Sequence, residues 1–480
     1  MLSGYALAAC DTTTPCAAAP TIIPGVNAYF ISQDGTVVAG LAAVGSPSTG
    51  FVWSNGIYTN IGTLYGRDTT INAISADGTA VVGSSPISNN EARAFKWTAA
   101  TGMVELPILA GGTAAYAASV NADASVVVGW SNDAHQRRAV SWVNGVINQL
   151  AYLGGTYSLA NDVSADGSVI VGYSYTTAND FAHGVRWVNG VLTDLGSLGV
   201  GDTIAQKVSA DGSTVIGQSN DVGFRWNNGA MNALLLPGGG SSSVAAVTPD
   251  GSAVAGVSDD GNGNNHAFRW KNGVMTDLTP TESSTPYVFA KGISNNGEVV
   301  VGYSGVGFSL VNTRAWRWTE ATGNVQLNTL LTNAGVNMTG ISLRQANAIS
   351  GDGQYIAGTG NFNGTTRAYI LRYDDGAGAI VAGLTTGDSQ QQSVNSLADQ
   401  RTGMAAQQHG LAAPLLGGDK PISAGGEAGV FASGGSASAG GTVRYTATNG
   451  LSIDQCNRRQ FAVAGLAARQ RVRLLEAVRR

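Results

Sequence analysis

Residues 158–198, SLANDVSADGSVIVGYSYTTANDFAHGVRWVNGVLTDLGSL, decide the fold. Asp166-Gly167 separates two runs rich in Val and Ile, and Asn189-Gly190 separates a run built around Trp187 from Val191-Leu192-Thr193-Asp194-Leu195. Asx-Gly pairs favour the positive φ that two-residue hairpin turns require. The segment therefore reads as four short antiparallel strands.

Outward from this stretch, the same unit occurs eight times. The first turn reappears as Asp34-Gly35, Asp77-Gly78, Asp123-Ala124, Asp166-Gly167, Asp211-Gly212, Asp250-Gly251, Asn296-Gly297 and Asp352-Gly353, at steps of 39 to 56 residues. Six residues after the first residue of each turn stands a glycine: Gly40, Gly83, Gly129, Gly172, Gly217, Gly256, Gly302 and Gly358. A position that is glycine in every copy is expected to lack room for a Cβ, as when backbone or an aromatic ring packs against it. An aromatic column follows, Trp53, Trp97, Trp142, Trp187, Trp226, Trp270 and Trp318, with Leu371 in the last copy.

Composition agrees with a turn-dense all-β chain. Charged residues make up 12% of 480, about half the roughly 25% usual in soluble proteins, and 67 glycines are about twice the ~7% norm. The net charge of −5 lacks the basic footprint of nucleic-acid binding, so no nucleic acid is expected as a partner. No run approaches the ~20 apolar residues of a membrane helix.

Each four-stranded unit is too apolar on both faces to stand alone, and a radial array hides those faces while leaving only short edges. The expected fold is thus an all-β propeller of eight four-stranded blades over residues 28–375, with seven blades plus an irregular copy as the alternative. Whether the last strand is borrowed from the N-terminal end stays open. The tight turns then lie on one face, and the connections of variable length on the other. Variable loops on a rigid scaffold are where specificity resides, here around 174–181, 258–265 and 304–311.

Four residues before the tryptophan column stand Thr49, Arg93, Arg138, His183, Val222, His266, Arg314 and Arg367. Arg93, Arg138, His183, His266, Arg314 and Arg367 are the candidate binding residues: they either tie blade strands together or form a cationic ring for an acidic glycan. No catalytic residue, metal ligand or cofactor site is expected. The four histidines, His135, His183, His266 and His409, fall in no nucleophile or zinc pattern. Glycine runs such as Gly238-Gly239-Gly240 read as inter-blade turns, and Asp259-Asp260-Gly261-Asn262 as a solvated turn lacking the ligand spacing of an EF-hand. Carboxylates in the variable loops leave a carbohydrate-active enzyme as the alternative function.

His266-Ala267-Phe268-Arg269-Trp270, with the Ala/Gly-Asp-Gly turn and the Val-Val-Gly-Tyr-Ser strand, resembles the bacterial extracellular HAF-repeat family over about 28–375. The resemblance implies an extracellular or surface location and a propeller-like fold. Further on, Ser396 to Arg401, Gln407 to Pro414 and Gly429 to Ser436 resemble the opening of an autotransporter translocator domain, with a second strand at Gly441 to Ile453. It follows a linker at 376–394 and covers 395–453, an incomplete barrel onset, because an outer-membrane barrel needs at least about eight strands to close. Residues 454–480, with seven arginines, read as a basic tail, either an amphipathic helix or out-of-frame sequence.

Residues 1–27 read as a leader or the remnant of a secretory signal. Leu7-Ala8-Ala9-Cys10 resembles a lipoprotein lipobox, while Cys10 and Cys16 could instead close a small disulfide loop. The expected function is a surface-exposed or secreted, non-enzymatic autotransporter passenger acting in adhesion or binding a glycan or other surface ligand. It would meet the outer membrane only through a complete barrel; if truncated it would stay periplasmic or unexported.

Overall fold

The computed structural model describes residues 15–375, except 44–46, 88–90, 135, 178–180, 280–286 and 306–311, together with a two-strand pair, Ser436–Ala437 and Val443–Arg444. The chain divides into two compact units, of which one contains residues 15–374. The expected strands at 429–436 and 441–453 otherwise lie outside the described residues.

Residues 15–374 form eight antiparallel blades: 27–62, 70–105, 115–149, 154–194, 203–233, 242–277, 287–326 and 341–374. Blade four shows the plan, with strands Gly154–Val163, Val169–Thr176, Ala182–Val188 and Val191–Asp194 ordered from the axis outward. Eight clusters of buried apolar side chains exist, and each fills one junction between neighbouring blades. Trp187, for example, is fully buried with Val126, Val128 and Ala139 of blade three. Blades bury their faces on each other, so the core is a ring.

The ring closes through the N-terminal segment. Blade eight supplies only three strands from residues 341–374; Thr21–Ile23 pairs with Ala368–Ile370, and Cys16–Ala17 with Tyr373–Asp374, as its outer strand. Residues 16–23, read from sequence as part of a leader, therefore belong to the propeller. Beside them, Asn347 Nδ2 donates to the Ala28 carbonyl at 2.8 Å and Thr359 Oγ1 to Asn27 Oδ1 at 2.9 Å, joining blade eight to blade one. The long step between the seventh and eighth copies holds a helix, Leu327–Asn333, which the four-strand unit did not foresee. Its Leu327, Leu330 and Leu331 pack into the junction between those blades.

The two kinds of turn differ, contrary to the common reading of both Asx-Gly pairs. Asn189 and Gly190 have φ of 49° and 82°, as a type I′ hairpin requires. At Asp166-Gly167 only the glycine is positive, at 77°. Here the Asp side chain builds the loop: Asp166 Oδ1 accepts from Ser164 Oγ at 2.7 Å and from the Ser168 N–H at 3.0 Å. Successive turns are also bonded around the axis, Gln33 N to Ala76 O, Ala122 N to Ala165 O, Ala165 N to Ala210 O, Asn295 N to Gly351 O, and Gly351 N back to Gln33 O. At the junction of blades six and seven the corresponding donor position is Pro249, which has no N–H.

These turn carboxylates should make folding acid-sensitive. Hydrogen bonds from Ser164 and from Ser168 hold Asp166 below the ordinary carboxylate value, and Asp123 is lowered in the same way by Ser125. At Asp34, Asp77, Asp211 and Asp250 partial burial pulls upward, but the bonds outweigh it and the net shift is downward. A folded value below the unfolded one gives stability that is full above the ordinary 3.8 and is lost as pH falls through the folded value. Blade seven supplies the control, since Asn296 Oδ1 accepts the same bonds, from Ser294 Oγ at 2.7 Å and Glu298 N at 3.0 Å, without a charge. Denaturant midpoints measured from pH 6 to pH 2 should fall below about pH 4, and Asp166→Asn combined with Asp211→Asn should flatten that fall. An unchanged slope in the double variant would remove these turns as its source.

Each glycine of the repeated column faces a bulge in its blade's innermost strand. The register skips Tyr29, Asn72, Ala118, Asn161, Gln206, Ala245, Lys291 and Asn347. A Cβ on the glycine would stand 1.9–2.3 Å from the carbonyl oxygen two residues before the skipped one. The skipped residues line the axial channel, which encloses about 510 Å³.

Candidate functional site

The six candidate binding residues sit where the third strand begins, on the face of the variable connections. Most reach diagonally to the outer strand. Arg93 Nε lies 2.9 Å from Glu105 Oε1, and His183 Nδ1 and His266 Nδ1 each lie 2.8 Å from Asp194 Oδ2 and Asp277 Oδ2. Arg314 Nη1 donates to Gln326 Oε1 at 3.4 Å, and blade one repeats the geometry with neutral groups, Asn60 Nδ2 donating to Thr49 Oγ1 at 3.0 Å. Arg138, only 7% exposed, turns toward blade four: Nη1 donates to the Gly155 carbonyl at 3.1 Å, and the guanidinium lies 4.1 Å over Tyr152. Its Nε also lies 3.2 Å from Asp133 Oδ2. Arg367 Nη1 donates to the Thr366 carbonyl at 3.2 Å. All these contacts run within the blade or to the next one.

A second column of cations, next to the tryptophans, was not singled out from sequence. Arg186, Arg225, Arg269 and Arg317 place their guanidinium carbons 5.7, 4.6, 4.5 and 5.1 Å from the rings of Trp226, Trp270, Trp318 and Tyr373, each in the following blade. Arg186 Nη2 and Arg225 Nη2 also donate to the carbonyls of the next turn glycines, Gly212 and Gly251, at 2.9 and 3.0 Å. Trp142 and Trp187 donate through Nε1 to the Pro107 and Ala151 carbonyls at 2.7 Å. The aromatic column thus carries both the blade core and the joint to its neighbours.

Several aromatic side chains left near water gather on blades three and four near the variable face. Tyr116 and Trp130 stack at 6.2 Å with planes 7° apart, and the Arg137 guanidinium covers Trp130 at 4.5 Å. On blade four Tyr175 meets Tyr173 at 6.2 Å and Tyr157 at 6.0 Å, both edge to face. Burial pushes the Tyr173 hydroxyl above its ordinary value, with neighbouring Tyr175 and Asp202 adding to the rise and Arg137 opposing it, so these groups share one region across the junction. Tyr157 is 46% exposed, and Phe181 at the base of the adjoining loop 42%. A hollow of about 430 Å³ opens at Phe181, lined also by His183, Asp194, Val200 and Thr203. Aromatic faces beside hydrogen-bonding groups suit a ligand with apolar C–H faces and polar edges.

Of the three expected loops, 174–181 contributes Tyr175 and Phe181 to this patch, while 178–180 and 306–311 lie outside the described residues. In 258–265 the carboxylates are occupied by neighbouring groups of the protein. Hydrogen bonds from Ser241 and from the Gly240 and Gly261 amides lower Asp259 to about 2, and bonds from Asn264 and Asn262 lower Asp260 as well. Among the described residues no group of three or more His, Cys, Asp or Glu is placed to hold a metal.

The channel wall is polar but nearly self-satisfied. Asn72 and Asn161 donate through Nδ2 to the Ala117 and Ala205 carbonyls of the next blade at 2.7 and 2.8 Å. Asp162 accepts from Ser119 Oγ at 2.6 Å and from Val208 N at 3.0 Å. Lys291 is exposed to the channel, yet the surrounding wall removes enough solvation to hold its ammonium below the ordinary lysine value. Its Nζ lies 5.5 Å over the Tyr303 ring.

No known family profile matches the chain, and no curated protein matches it. Solved structures similar to it include a puromycin hydrolase S511A mutant complexed with PGG, at 13% identity and TM-score 0.42, covering 63% of this chain and 53% of that one. The chain thus spans about half the length of that hydrolase. An oligogalacturonate lyase from Vibrio parahaemolyticus is similar at 13% identity and TM-score 0.40, over 74% of this chain and 98% of that one. TolB from Acinetobacter baumannii is similar at 12% identity and TM-score 0.32, over 71% and 80%. With TM-scores below 0.5, these likenesses assign no activity to the chain, whose own topology makes it an all-β propeller of eight blades.

Proposed function

We propose that this chain is a secreted or surface-exposed, non-enzymatic propeller that binds an extracellular glycan, as the passenger of an autotransporter acting in adhesion. The observation that carries the reading is the aromatic patch of blades three and four, where Tyr116, Trp130, Tyr173, Tyr175 and Tyr157 gather beside Arg137 near the variable face. Export is supported by Cys16, which is disulfide-bonded, since disulfides persist in oxidising compartments. The autotransporter assignment rests on the resemblance of 395–453.

Glycan-array binding by the full chain tests the function. Tyr157→Ala combined with Tyr175→Ala should weaken binding to the array hit about tenfold or more, close to 1.4 kcal/mol, with the thermal midpoint little changed. Unaltered binding in that variant would move the site off the patch. Bond cleavage in the bound glycan, followed by mass spectrometry, would favour the carbohydrate-active alternative. Protease shaving of intact cells reads the location separately.

A further inference from the structure

We propose that the axial channel holds a separate site for a small dianion, bearing carboxylate or phosphate groups, between Lys207 of blade five and Lys291 of blade seven. The wall there is asymmetric. Both lysines line the channel, and the blade between them contributes Ala245 and Ala246 at the corresponding bulge. Blade six therefore places only methyl side chains at its bulge, between the two lysine-bearing blades. The single carboxylate among the described lining residues, Asp162, is engaged by Ser119 and Val208 and makes no ion pair with Lys207.

Several of the chain's other cations are engaged by acceptors. Arg93, Arg138, Arg269, Lys271 and Arg372 are paired with carboxylates, and Arg186 and Arg225 with turn carbonyls. Among the described residues Lys207 and Lys291 have neither, although the protein carries net charge −5. Two amines that line one channel without a carboxylate partner favour an anion that can touch both, and charge-assisted hydrogen bonds are the strong ones. The channel volume of about 510 Å³ admits small solutes such as phosphate or a short dicarboxylate.

Calorimetric titration of the full chain at low ionic strength, with inorganic phosphate in one arm and malonate in the other, tests the site. Binding should weaken about tenfold or more in Lys207→Met and in Lys291→Met and vanish in the double variant. The two arms decide which anionic group fits better. Phosphate should also protect Lys207 and Lys291, but not Lys271, from acetylation of the wild-type protein, a readout that needs no variant to fold. Absence of binding in both arms, binding unchanged in the double variant, or uniform acetylation would overturn the proposal. The Tyr157→Ala and Tyr175→Ala pair should leave anion binding intact, so this site and the glycan patch can fail independently.

Discussion

Replacing Ile23 with Asp is expected to open the ring, lowering unfolding free energy by about 4 kcal/mol or more in denaturant titrations. Ile23 is fully buried in the junction of blades eight and one, among Ala28, Val38, Phe51, Ala357, Ala368 and Ile370. Seven of the eight junctions join segments adjacent in sequence, but this one joins the two ends of the propeller, and only the short segment at 16–23 completes its outer strand. A carboxylate there either carries its desolvation cost inside the closed junction or pulls Thr21–Ile23 off Ala368–Ile370 and exposes the apolar faces of two blades. Ile22, its neighbour, is 50% exposed, so Ile22→Asp should change stability by no more than about 0.5 kcal/mol. Equal effects of the two substitutions would show that general loss of hydrophobicity, and not closure, sets the stability.

Why the closing strand escaped the sequence reading has a physical answer. Thr21, Ile22 and Ile23 lie between Pro20 and Pro24 and make too short a run to display alternation, so their pairing is dictated by an open blade edge that appears only once the ring forms. The blades themselves were legible because their period is written eight times over, and the glycine column pointed correctly to a forbidden Cβ. The Asp-Gly turn was misread because two-residue hairpin logic was applied where a carboxylate accepts from both sides of a longer loop.

The site was harder for the opposite reason. Repeats advertise what is constant, whereas Trp130 and Tyr173 stand at the position after the column glycine, which elsewhere holds Leu41, Ser84, Gln218, Val257, Tyr303 and Thr359. Variation at a fixed scaffold position was the signal. The partners of the cationic column were also countable: Asn60, Glu105, Asp194, Asp277 and Gln326 follow Thr49, Arg93, His183, His266 and Arg314 by eleven or twelve residues. Cross-strand diagonals of that spacing belong to one hairpin.

Gly129→Ala should destabilise the protein by about 3 kcal/mol or more, a heavy penalty for one methyl group. Its backbone is not in the left-handed region, so the effect isolates space from conformation. An added Cβ would lie 1.9 Å from the Tyr116 carbonyl oxygen and 3.1 Å from the Ala117 Cα, atoms of a strand already bulged at Ala118 to accommodate the approach. Side chains can rotate away from an intruding methyl, but a paired innermost strand moves only with its blade. Overpacking in a core costs about 1–3 kcal/mol where neighbours can adjust, and here the neighbour is backbone. Gly240, whose Cβ would meet nothing nearer than 4.0 Å, provides the comparison: Gly240→Ala should shift the denaturation midpoint little. If both substitutions proved equally mild, the innermost strand would have to slide to take up the methyl. The channel wall built on its bulges, Lys291 and the alanines of blade six included, would then be a yielding surface, and the proposed anion site would lose its fixed geometry.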